Sequence, residues 1–176
     1  PYLVRRLLES TNPNLFLLNY DRERLAVTDV AVVPKHFFVR DVIRERKPLG
    51  PRARRAGWIG CNILLSRIPS IGRISIVRGG RPEPKEMVLA NWKRTLFLRE
   101  ETKAARGWLL ATIRCIEAIG RPNFDIDDVY AFEAPLSDLY PNNRHVREKI
   151  RQQLQVLRDR GFLEFSGRGQ YRLKGT

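Results

Sequence analysis

Cysteine is scarce, with two in 176 residues, and neither Cys61 nor Cys115 stands in a Cys-x-x-Cys pair. That argues against a disulfide-stapled scaffold and against a zinc site built from this chain alone. A reducing, intracellular setting follows. No apolar run approaches the roughly 20 residues of a membrane helix, so neither a transmembrane helix nor a membrane partner is expected. Residues 1–10 hold no sustained apolar region, so no signal peptide is expected either. The first residue is Pro1 rather than Met, which reads as a fragment or a trimmed chain. Internal repeats and low-complexity tracts are missing as well.

Acidic residues are in deficit. Nineteen Asp and Glu face 33 Lys and Arg, for a net charge of +14 and a pI near 10.7. Such an excess suggests a polyanionic partner, nucleic acid being the usual one. Its distribution is uneven. Residues 1–103 carry 21 basic and 10 acidic side chains, net +11; residues 104–141 carry 3 and 6, net −3; residues 142–176 carry 9 and 3, net +6. The apolar share of 43% is ordinary for a chain with a packed core.

Along residues 1–100 strands and helices mix. Tyr2–Leu8 reads as the tail of a helix, Thr11–Asn14 as a turn, and Leu15–Tyr20 and Leu25–Val33 as strands. Lys35–Arg46 is read as a short helix, Lys47–Gly60 as a loop, residues 72–77 as a strand and Glu86–Leu98 as a helix. After the polar stretch at 99–103 the pattern becomes helical. Trp108, Leu109, Thr112, Ile113, Ile116 and Ile119 recur at three- and four-residue spacing up to Gly120. Asp125 opens a second, shorter helix, and Pro135 and Pro141 bracket an irregular link. Asn142 and Asn143 are read as the cap of a third helix with the stripe Val146, Ile150, Leu154 and Leu157. Phe162–Phe165 and Gln170–Leu173 flank Ser166-Gly167-Arg168-Gly169 as a hairpin.

Three helices followed by a basic hairpin is the order of a winged helix. The third helix presents Arg144, His145, Lys149 and Gln152 opposite its apolar stripe. Asn, Gln and Arg can pair two-handed with base edges, and a groove-reading helix does so near its N-terminus. Arg168 and Gln170 in the wing are placed for backbone or minor groove. A charged helix face is also compatible with plain solvation, and winged helices also bind protein. A second cluster lies between Arg40 and Gly60, where seven basic residues meet two acidic ones. Arg52, Arg54 and Arg55 suit phosphates and guanines. Beside them Gly57 and Gly60 flank Trp58-Ile59. Two readings of Trp58 stay open on composition: an exposed ring that meets a base or methyl group, or a core anchor for the loop.

The segment Arg54-Arg55-Ala56-Gly57-Trp58-Ile59-Gly60-Cys61-Asn62-Ile63 resembles the DpnI-type methyl-directed restriction endonucleases, the dam-replacing family. So do Gly107-Trp108, Glu148 to Asp159, and Gly167 to Arg172, and the resemblance runs from Asn12 onward. It implies an α/β fold: residues 1–100 as part of a PD-(D/E)xK nuclease domain, and 104–176 as a winged-helix domain. It implies cytoplasmic bacterial duplex DNA as partner, read at GATC with N6-methylated adenine, and a monomeric protein. Trp58 takes the position of the methyl-contacting residue, and Asn62 lies in the same segment. The family cleaves with an Asp and a Glu-x-Lys that hold Mg²⁺, and it carries four zinc-binding cysteines. Both sets lie upstream of the part matched here, so no catalytic residue and no metal ligand is expected in this chain. Glu83-Pro84-Lys85 has the right letters but a proline on each side of Glu83. Asp125, Asp127 and Asp128 read as helix-start residues. The competing reading is a stand-alone winged-helix regulator, which accounts for residues 104–176 but not for 54–62.

Overall fold

Leu15–Asp21 opens on the apolar run Leu15–Leu18, and this segment forms strand β1. It pairs antiparallel with β2, Ala26–Val33. The connection is closed by Asp21, whose Oδ1 accepts the backbone N–H groups of Glu23 and Arg24 at 2.9 and 3.0 Å. Leu25 belongs to this turn rather than to the strand, with φ of 49°. In the computed structural model, residues 2–8 and 12–174 are described. Helix α1 is Tyr2–Leu8; Thr11, the start of the expected turn, lies outside the described residues. The chain divides into two units, Pro1–Thr102 and Lys103–Thr176.

In the first unit β2 pairs with β5, Ile74–Arg78, and β5 with the short β6, Arg81–Pro82. The sheet order is β1-β2-β5-β6, antiparallel throughout. The segment expected to be one helix over Lys35–Arg46 is instead two single 3-10 turns, Lys35–Phe37 and Arg40–Val42, followed by strand β3, Ile43–Glu45. The cause is burial on every side. His36, Phe37, Phe38 and Val39 are consecutive and all buried, as are Val42 and Ile43. A helix would spread four consecutive residues around its circumference, so tight turns and an extended strand serve the core better. Gly72 lies under this cluster, where a Cβ would come within 2.6 Å of the Phe37 ring. Strand β4, Cys61–Ile63, pairs with β3 as a separate two-stranded ribbon.

The helix expected over Glu86–Leu98 also breaks. Helix α2 is Lys85–Arg94, and a 3-10 segment, Leu96–Arg99, follows. Thr95 stands at the break. Its hydroxyl donates to the Trp92 carbonyl (2.8 Å), and the buried His36 Nε2 lies 3.0 Å from the same oxygen. The hydroxyl proton is committed to Trp92, so the imidazole donates to Thr95. This pair ties the helix end to the core.

The second unit is a winged helix. Helix α3, Lys103–Ile119, is buried from Gly107 to Ile113, and Gly120 ends it at φ of 72°. Strand β7, Asn123–Asp125, leads into α4, Ile126–Tyr130. Asp125 and Asp128 form a capping box there, satisfying two orphan N–H groups reciprocally. The expected irregular link is a further helix, α5, Glu133–Leu139. Pro135 fits because it sits in the first turn, where no intrahelical N–H bond is lost. Helix α6, Val146–Asp159, buries Val146, Ile150, Gln153, Leu154 and Leu157. Strands β8, Leu163–Gly167, and β9, Gln170–Leu173, form the wing. Sequence reading missed β7, which joins them in the order β7-β9-β8. No described helix is long and apolar enough to cross a membrane.

Candidate nucleic-acid interface

The basic segment between β3 and β4 is a braced hairpin rather than a slack loop. Arg44 stands opposite Asn62 in the ribbon, and both are exposed. Beyond it, the Arg46 N–H donates to Gly60 O, Leu49 to Trp58 O, and Gly57 to Leu49 O, each at 2.9 Å. Gly57 takes φ of 76°, the left-handed turn conformation that glycine adopts without strain.

The carboxylates that precede this segment are already engaged. Glu45 pairs with Arg40 at 2.8 Å, and Asp41 with Arg67 at 2.9 Å. Arg52, Arg54 and Arg55 are exposed and make no ion pair among the described residues. The field around the hairpin is therefore positive and uncompensated, which draws phosphate. Trp58 is 43% exposed, so it is no core anchor. Its indole N–H has no acceptor among the described residues, which leaves both the ring face and a donor open.

In the second unit the expected cap is corrected. His145, not Asn142 or Asn143, occupies the N-cap of α6, and it makes no side-chain cap bond. Asn143 Oδ1 instead accepts the His145 N–H at 2.8 Å, a local turn that sets the helix entry. Arg144 and His145 thus precede the helix rather than lie on its face. Together with Asn142 and Asn143 they form the polar side of a cavity of about 560 Å³. Its apolar side is Trp108, Leu139, Tyr140 and Pro141. Trp108 and Tyr140 are stacked, with ring centroids 4.1 Å apart. Further along α6, Lys149 Nζ donates to Gln152 Oε1 at 2.7 Å, so these two act as one exposed pair.

Sequence reading missed an arginine row. Arg147 and Arg151 lie 5.0 and 5.6 Å from the centre of the Tyr130 ring, and Arg158 lies 4.5 Å from that of Phe165. Arg147 also bonds Glu133 at 2.7 Å, and this contact raises its pKa further. The four-residue spacing of Arg147 and Arg151 was the available signal. The rings that hold them come from α4 and β8, which no local pattern reveals. In the wing, Arg168 and Gln170 are exposed. The Ile126 N–H donates to Gly169 O at 2.8 Å, which ties the wing tip to the start of α4.

The metals implied by the resemblance find no seat among the described residues. No group of three or more His, Cys, Asp or Glu converges there. Glu83 is paired with Arg78 at 2.8 Å, and Lys85 begins α2. Cys61 and Cys115 lie in different units, and burial pushes both thiols up, Cys115 to about 11. Protonated thiols are poor metal ligands and poor nucleophiles.

Residues 2–101 match the family model described as the Dam-replacing family. Residues 104–173 match the model of the Dam-replacing HTH domain.

Proposed function

This chain belongs to the Dam-replacing family, and from that premise we propose that it reads N6-methyladenine in duplex GATC for a methyl-directed restriction endonuclease. Membership and the HTH domain give methyl-directed DNA recognition in general. The observation that supports the finer reading is Trp58, exposed beside three uncompensated arginines on a braced hairpin. The N6 edge of adenine faces the major groove, where methylation turns part of a polar edge apolar. An indole face can cover that methyl group while neighbouring arginines hold the backbone. One buried methyl contributes about 1 kcal/mol, roughly fivefold in affinity. A palindromic site offers two, and a second reading by α6 would multiply the preference. The cavity at the α6 N-terminus, apolar on one side and polar on the other, suits that second role.

Binding the protein to matched duplexes with unmethylated, hemimethylated and fully methylated GATC tests the reading. Affinity should rise stepwise with methylation. Equal affinity for all three would reject it and favour a methylation-blind winged-helix regulator. The Mg²⁺-dependent cleavage of the family is assigned to none of the described residues.

A further inference from the structure

The glycines that flank Trp58 do different work. Gly57 has positive φ and nothing within 4 Å of where its Cβ would be, so it serves the turn. Gly60 is buried and has no positive φ. A Cβ built on it would fall 2.8 and 2.9 Å from Cζ3 and Cη2 of the Trp58 ring, and 3.5 Å from Cδ of Arg46. Carbon atoms pack at about 3.5–4.0 Å, so the indole occupies the space that any other residue at position 60 would fill.

We infer that Gly60 is the positioning residue for Trp58, its bare Cα forming the seat that sets the angle at which the indole meets the methyl group. This rests on the reading of Trp58 as the methyl contact. The backbone around the ring is fixed by bonds from Trp58 N–H to Arg55 O (3.0 Å), Leu49 N–H to Trp58 O (2.9 Å) and Arg46 N–H to Gly60 O (2.9 Å). The ring itself has no hydrogen bond to hold it, so packing against residue 60 orients it. Alanine is compatible with the Gly60 backbone. The clash from its methyl therefore falls on the far end of an exposed side chain, which can rotate away. Arg46, whose stem shares the seat, keeps its charge beside the ring.

The test compares Gly60→Ala, Trp58→Ala and the double variant in binding to methylated and unmethylated GATC duplexes. Gly60→Ala should lower the methylated-to-unmethylated ratio about as far as Trp58→Ala, several-fold, with unmethylated binding changed less than about twofold. In the double variant the two losses should not add, since both act through one ring. The Trp58 indole N–H resonance should move in Gly60→Ala while those of Trp92 and Trp108 stay, with the thermal midpoint held. A ratio preserved in Gly60→Ala but lost in Trp58→Ala overturns the seat. Additive losses overturn it too, as does an unmoved Trp58 resonance. A ratio untouched by Trp58→Ala overturns the methyl contact itself.

Discussion

The two units handle apolar surface differently. Of the large apolar side chains exposed among the described residues, ten lie in the first unit and one, Phe165, in the second. The first unit leaves Phe16, Leu18 and Tyr20 on one face of β1 at 63%, 60% and 50% exposure. Helix α2 has no buried residue. In the winged helix, α3, α4, α5 and β8 all pack against α6, and even Phe165 lies under the Arg158 guanidinium. In the second unit α6 is part of the core, so a change to its buried stripe should act on stability first. In the first, the basic hairpin is braced by backbone bonds, so a change to an exposed side chain there should have little effect on folding.

The sharpest test of that contrast is Leu154→Ala in α6. The side chain is fully buried, so the change should cost about 2–5 kcal/mol and abolish DNA binding through the helix. Chemical denaturation followed at the buried Trp108 measures it, and a loss of less than about 0.5 kcal/mol would break the claim of a dense core. Next in size, Trp58→Ala should remove about 1 kcal/mol of discrimination per methyl group and leave the denaturation midpoint in place. A protein destabilised by several kcal/mol would show the ring to be structural after all. Lys149→Ala and Arg168→Ala should each weaken binding to every sequence and flatten the salt dependence by roughly one unit of slope. A change confined to methylated sites would instead make them readers.

Smaller effects separate the units further. Leu18→Ser, on the uncovered face of β1, should shift stability by no more than about 0.5 kcal/mol and improve solubility. A large loss in thermal melting would mean that the face is covered in solution. The smallest effect concerns pH. Asp128 has its pKa lowered, first by the Asp125 backbone N–H and then by Arg121. Its contribution is complete above the ordinary carboxylate value and is lost as pH falls through the depressed folded value. The acid limb of the melting curve should flatten in Asp128→Asn. An unchanged limb would remove the capping box from the account.

Legibility followed periodicity. Val146, Ile150, Leu154 and Leu157 repeat at helical spacing, and Gly161 closes the helix at φ of 76°, so α6 was evident from residues alone. Phe37-Phe38-Val39 has no period, and two 3-10 turns stand where one helix was expected. Strand β7 holds one buried residue, Phe124, between polar neighbours, and only its pairing with β9 makes it a strand. The arginines at 52, 54 and 55 were plain as a cluster, whereas Arg147, Arg151 and Arg158 acquire meaning from rings on other elements.

Charge excess, the scarcity of cysteine and the helical stripe are properties of composition and local spacing, so the sequence by itself determined a basic chain ending in a winged helix. Which arginines stay uncompensated depends on where Arg40 and Arg67 meet Glu45 and Asp41. The Trp58 ring lies over the bare Cα of Gly60, where a Cβ would come within 2.8 Å of it. Those are distances between residues brought together by pairing across the ribbon and by core packing, and only the tertiary structure decided them.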